Sequence, residues 1–315
     1  FWHKGAHQQT VRLASDVVPT DNEVPIFLRS VDSGEYWGIL LEKAYAKWVG
    51  SYEGLAKGFW TDAIQSFTGG VVERIKIQDE DGNMDGKLFD IMLTSYTNGS
   101  SLCCIKKIED TSESSNVPNS RKQYHAYCLV QIDEDSTRPI HVLDPFTLQH
   151  HDLSYEQFRE QYHRLDMCHT NLDNLSALQG RNILQTPWKK EMFQLQLENG
   201  CVEFNINLTG TSDEQERCIL VIELIQKIKP DEGEKPRHVK PWEGLVCLVL
   251  EVNDEVFAIE VPQESHSFFL NPDTCGIKVS TDAEEHGEIY MRVCSKTGFK
   301  VEQNERLIKV ATDCT

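Results

Sequence analysis

No apolar run in this sequence comes near the roughly 18 residues a membrane-crossing helix needs. No charged-then-apolar leader opens it, so it carries no signal-peptide pattern. Basic residues are in deficit, 31 against 50 acidic ones, for a net charge of −19. Without a Lys/Arg-rich stripe, a nucleic-acid grip has no footing. Among ten cysteines there is no C-x-x-C pair, which removes the usual zinc framework. Cys128, Cys218, Cys247 and Cys294 sit instead inside apolar runs, the setting of buried thiols in a reducing, cytoplasmic compartment. No repeat or low-complexity block is present, and no methionine opens the chain. The expectation is a piece that assembles with the remainder of a longer polypeptide. What is there is the composition of a folded globular chain, 39% apolar and 26% charged over 315 residues, enough for about two domains.

The pattern of the first half mixes helices and strands. Trp37, Leu40, Leu41, Ala44, Tyr45 and Trp48 recur at helical spacing, with Glu42, Lys43 and Lys47 on the other face. A short helix or turn over 62–67 is closed by Gly69-Gly70. Residues 71–77 alternate as a strand, 88–96 read as a helix stopped by Asn98-Gly99, and 101–108, 127–132 and 138–143 read as strands. Ser154 with Gln157 forms a capping-box signature for a helix whose apolar face is Tyr155, Phe158, Tyr162 and Leu165. The region 111–120 is a polar loop. From Val202 onward the chain becomes a series of short strands separated by polar turns, the pattern of a β-sandwich.

The wording of the first helix says more than its period. Leu41-Glu42-Lys43-Ala44-Tyr45-Ala46-Lys47, then Gly50-Ser51-Tyr52-Glu53-Gly54-Leu55, then Phe67-Thr68-Gly69-Gly70, resembles the protease core of the calpains, a branch of the papain-like cysteine proteases. The resemblance continues at Leu153–Phe158 and Arg164–Cys168, and more loosely at Leu220–Gln226, Phe268–Leu270 and Tyr290–Val293. It implies an α+β chain: a papain-like protease subdomain, helices plus antiparallel sheet, over 1–170, then an all-β sandwich over 171–315.

The chemistry centres on Tyr124-His125-Ala126-Tyr127 and, nineteen residues beyond the histidine, Asp144-Pro145-Phe146. A hairpin joining the two strands can set the carboxylate against the imidazole, which fixes its tautomer and stabilises the imidazolium. A histidine held so can deprotonate a thiol. The resemblance assigns roles. His125 matches the histidine of the calpain His-Ala-Tyr motif, the general base. Asp144 and Phe146 fall where the family's Asn-Pro-Trp has its orienting asparagine and its tryptophan, and Tyr124 falls where glycine is usual. Tyr124 and Phe146 are thus expected at the substrate cleft or shielding the pair.

The family's nucleophilic cysteine lies upstream of the Leu-Glu-Lys-Ala-Tyr helix, with an oxyanion-hole glutamine before it. Phe1-Trp2 and Val17-Val18-Pro19-Thr20 resemble segments that follow both. The chain as given is expected to hold only the base-bearing half. Calcium is implied by the resemblance as a cofactor. The run Asp79, Asp81, Asn83, Asp85 resembles the start of an EF-hand loop, but Met92 then stands where a bidentate glutamate is required, so it reads as a solvated acidic turn. The connection from Phe146 to Ser154, with the single acid Asp152, is shorter than the acidic loop of the family. Two functions stay open: part of an intracellular cysteine endopeptidase acting on protein substrates, or an inactive calpain homologue serving as a structural or protein-interaction module. A lipid- or cation-binding role for the sandwich alone has only the acidity behind it.

Overall fold

The computed structural model describes residues 1–3, 7–22, 24–28, 30, 32, 34–55, 58–77, 87–108, 123–134, 136–137, 139–179, 186–209, 220–227, 246–252, 255–260, 265–268, 274–281, 288–296, 298–302 and 307–310. It forms two compact units, one of residues 70–185 with 264–267, the other of 1–69, 186–263 and 268–315. The chain is α+β, with helices and an antiparallel sheet in the first half and strands in the second.

Helix α1 (Trp37–Val49) forms where its period predicts, but its burial differs from the expected stripe. Ile39 and Ala46 are buried, while Trp37 is 66% exposed and Leu41 is also exposed. The polar face makes hydrogen bonds to neighbouring backbone instead. Lys43 Nζ donates to the Ser15 carbonyl at 2.8 Å and to that of Val17, and Lys47 Nζ to that of Arg12 at 2.6 Å. Glu42 accepts from the Leu28 N–H at 3.1 Å. The extended segments around 12–17 and 26–28 thus take their hydrogen bonds from the helix, as backbone without a strand partner must. Tyr45 and Trp48 pack with Phe1, ring centroids 5.7 and 5.6 Å away, and Phe67 closes the group.

Helix α2 (Trp60–Thr68) ends on Gly69 in the left-handed conformation, φ 69°. A Cβ there would lie 2.6 Å from the Trp2 indole, so both backbone and space require glycine.

The unit of 70–185 is built on one sheet. Its strands are β1 (Val71–Lys76), β2 (Ser101–Ile108), β3 (Gln123–Ile132), β4 (Ile140–Leu143), β5 (His150–Leu153) and β6 (Arg164–His169). They lie in the order β1-β6-β2-β3-β4-β5, every described pairing antiparallel. Helices α3 (Lys87–Thr97) and α4 (Tyr155–Gln161) contribute Leu88, Met92 and Phe158 to the cluster that also holds Leu129, Ile132, Ile140 and Val142. The capping box at Ser154 is present, with Gln157 N–H to Ser154 Oγ and Ser154 N–H to Gln157 Oε1.

Several expectations are corrected. β3 begins four residues earlier than read, so His125 lies inside a strand rather than ahead of one. Leu165 belongs to β6, not to the preceding helix, because the chain turns extended at Tyr162. β5 and β6 went unread. β5 is four polar-rich residues, and β6, almost wholly buried, shows no alternation. The loop 111–120, the acidic run 79–85 and Cys218 lie outside the described residues, as does the side chain of Cys247.

Further strands include β7 (Lys189–Leu195), β8 (Cys201–Thr209), β9 (Leu220–Lys227), β10 (Val246–Val252), β11 (Glu255–Glu260), β12 (Thr274–Thr281), β13 (Glu288–Ser295), β14 (Gly298–Val301) and β15 (Leu307–Val310). One sheet contains the run β9-β13-β7-β15, the other runs β11-β10-β12-β8-β14. Alternate residues of both, such as Val202, Phe204 and Ile206 against Ile222, Met291 and Val293, fill one cluster, which is the packing of a sandwich. β7 and β14 were not legible in the sequence.

Beside that core lies a buried ion pair. Arg292 Nε donates to Glu223 Oε2 at 2.6 Å, Gln65 of α2 donates to the other carboxylate oxygen, and Arg292 Nη1 donates to the Gly69 carbonyl at 2.7 Å. Both charged side chains are nearly inaccessible. Removing one partner leaves a buried charge uncompensated, a cost of about 3–5 kcal/mol. Glu223→Ala is therefore expected to lower stability by that amount in guanidinium unfolding, and a change under about 1 kcal/mol would show that the pair is hydrated.

Candidate active site

The pairing of β3 with β4 decides which side chains meet. Cys128 stands opposite Leu143 and Leu129 opposite Val142; the register then skips Val130 and resumes with Gln131 opposite His141 and Ile132 opposite Ile140. Val130 is a β-bulge. Continuing the pairing one step past Leu143 sets Asp144 opposite Tyr127, diagonal to His125 and on its face, a distance side chains can span. Without the skip, Asp144 would fall opposite Cys128 and point the other way.

The two groups meet. His125 Nε2 lies 3.1 Å from Asp144 Oδ1, with the side chains 18% and 12% exposed. Asp144 is held by its own turn. Its Oδ1 also accepts the N–H of Phe146 at 2.9 Å and of Thr147 at 3.4 Å, an Asx turn made feasible because Pro145 has no N–H to place. The Leu148 N–H donates to the Asp144 carbonyl at 2.8 Å, and Leu148 takes φ 58° to close the loop. Partial burial acts to raise the Asp144 pKa. The hydrogen bonds from the Phe146 N–H, His125 and Thr147 outweigh it and hold the group down at about 2. An ionised Asp144 accepts, so Nε2 carries the hydrogen and Nδ1 is the nitrogen with an open lone pair.

Two rings flank the imidazole. Phe146, 81% exposed, lies 4.9 Å away, and Tyr127 stands edge-on at 4.6 Å. Strand alternation puts Tyr124 on the opposite face, where its exposed ring stacks on His163 at 6.1 Å. The structure therefore brings together His125, Asp144 and Phe146, with Tyr124 beyond the strand. Cys128 is likewise on the far face from His125. Burial pushes the thiols of Cys103, Cys104 and Cys128 up, against nucleophilic use. Among the described residues no group of three or more His, Cys, Asp or Glu side chains could hold a metal. The sequence reading missed Tyr127, Thr147 and the bulge. The signal for the last was there, since Leu129 and Ile132 are both core residues three apart.

A second histidine–carboxylate pair offers a contrast. His169 is fully buried, with Nδ1 2.8 Å from Ser100 Oγ and Nε2 3.1 Å from Glu73 Oε2. Asn174 Nδ2 donates to Ser100 Oγ, and Ser176 donates to Glu73 from its N–H and its hydroxyl. Both ring nitrogens are occupied, so this imidazole fastens the 172–179 segment and has no lone pair to offer.

With this geometry in hand, the comparisons decide the lineage. The calpain family cysteine protease model matches residues 1–162. The chain belongs to the calpain family. It is 24% identical to calpain-B of Drosophila melanogaster over 97% of this chain and 41% of that protein. It is 27% identical to the calpain-2 catalytic subunit of Gallus gallus over 72% of this chain and 39% of the subunit. To calpain-9 of Homo sapiens it is 31% identical over 55% of this chain and 26% of that protein. The chain spans less than half the length of these curated relatives. No helix among the described residues is long and apolar enough to cross a membrane.

The Asp144 bonds predict a pH dependence. Its folded pKa, about 2, lies below the ordinary 3.8, so the stabilisation is complete above about pH 4 and is lost as pH falls toward 2. A carboxyl NMR titration is expected to give a midpoint near 2 for Asp144. A midpoint near 4 would mean that the turn does not hold the carboxylate.

Proposed function

We propose that this calpain-family chain is the base-bearing part of an intracellular cysteine endopeptidase. His125 is its general base, Asp144 orients that base, and Phe146 shields the pair. The supporting observation is the 3.1 Å contact of His125 Nε2 with Asp144, which leaves Nδ1 open. The thiol belongs to polypeptide beyond this chain. In the proposed reaction Nδ1 takes the thiol proton and Asp144 stabilises the imidazolium. The thiolate adds to a peptide carbonyl, and the imidazolium protonates the leaving amine. Water then hydrolyses the thioester by the same base. The proposed division is a protease subdomain over 1–170 and a sandwich over 171–315. Proteins are the proposed substrates and calcium the proposed effector, both by analogy with the family.

A second reading has its own support. Asp144 replaces the family's asparagine and Tyr124 its glycine, and Asp144 is held strongly ionised. A carboxylate sets a full negative charge beside the imidazole where the amide sets none. This suits a homologue that has kept the fold for protein interaction.

One experiment separates the two. Full-length protein is treated with a thiol-directed epoxide probe in calcium. Covalent labelling, reduced by a factor of about 10² or more in His125→Ala, supports the endopeptidase. No labelling of folded protein supports the interaction module.

A further inference from the structure

We propose that Tyr127 is a positioning residue that fixes the plane of the His125 ring. This rests on His125 being the base, but the test needs no turnover. A single hydrogen bond at Nε2 leaves an imidazole able to rock about the Nε2···Oδ1 line, swinging Nδ1 away from any thiol. A second restraint is required, because proton transfer demands a fixed donor–acceptor geometry.

Two rings touch the imidazole, and they are not equivalent. Phe146 is 81% exposed and backed by solvent. Tyr127 meets His125 with centroids 4.6 Å apart and planes at 78°. It is itself edge-on to Tyr162 at 5.4 Å and 83°. Tyr162 is only 2% exposed and stacks at 5.1 Å on Phe158, a fully buried residue of α4. A file of aromatic rings thus runs from the core to the base, each contact of the edge-to-face or stacked kind that ring quadrupoles favour. Continuing the β3–β4 pairing one step past Leu143 brings Asp144 opposite Tyr127, so this ring stands on the face that carries both members of the pair. The ring supplies the restraint, not the hydroxyl, so Tyr127→Phe keeps it and Tyr127→Leu loses it.

The test is a long-range ¹H–¹⁵N correlation spectrum of the isotopically labelled chain. Wild type and Tyr127→Phe are expected to show His125 as one tautomer, protonated at Nε2, with cross-relaxation to the residue 127 ring. Tyr127→Leu is expected to show averaged nitrogen shifts, with the melting profile confirming a folded chain. Unchanged His125 signals in folded Tyr127→Leu overturn the proposal while leaving the His125–Asp144 reading intact. A wild-type spectrum without the Nε2 tautomer overturns that reading instead. Should the leucine variant not fold, absence of the wild-type cross-relaxation between the two rings is sufficient to reject the brace.

Discussion

The constraint on which the rest depends is a matter of parity in one strand. His125 and Ile132 are seven positions apart, an odd number, so a regular strand would turn them to opposite faces. Asp144 shares a face with Ile140 and Val142, which pack in the core beside Ile132. The unopposed Val130 reconciles the two, turning His125, Tyr127 and Leu129 to the core side. The hydroxyl of Tyr96 donates to the carbonyl of Val130 at 3.3 Å and gives that bulged backbone group a partner. A bulge is a common way for a sheet to re-aim a side chain.

The two imidazole–carboxylate pairs show how environment separates roles. Each histidine donates to a carboxylate at 3.1 Å. His169 is closed off by Ser100 on its second nitrogen and by burial on all sides. His125 is partly exposed, with one nitrogen engaged and one open. Residue type and partner are the same; accessibility and the free lone pair are what differ. That contrast supports the reading of His125 as the reactive one more firmly than its presence in a motif does.

Much of this was legible beforehand for physical reasons. Helices α1, α3 and α4 announced themselves through period and cap, since a 3.6-residue stripe and a Ser154–Gln157 box are local properties. The meeting of His125 and Asp144 was read from two strand-end motifs a hairpin's length apart. What stayed hidden was tertiary. The exposure of Trp37 and Leu41 depends on which partner covers α1, and its charged face holds the backbone of Arg12, Ser15, Val17 and Leu28. Strand β6 is buried on both sides and so carries no alternation. Tyr127 looked like an ordinary strand aromatic, because its contact with the His125 ring arises only once the register is set.

Gly69 carries a consequence for how the larger unit opens. At this one residue a helix stops, the Trp2 indole rests where a side chain would be, and the carbonyl receives the guanidinium of Arg292. Residues 2, 69 and 292 are remote in sequence yet meet around a single peptide unit. A disturbance at Trp2 cannot therefore stay local. Displacing the indole loosens the turn that presents the carbonyl, and with it one of the bonds that neutralises a buried cation. Trp2 is thereby a cooperative part of the unit that holds the sandwich.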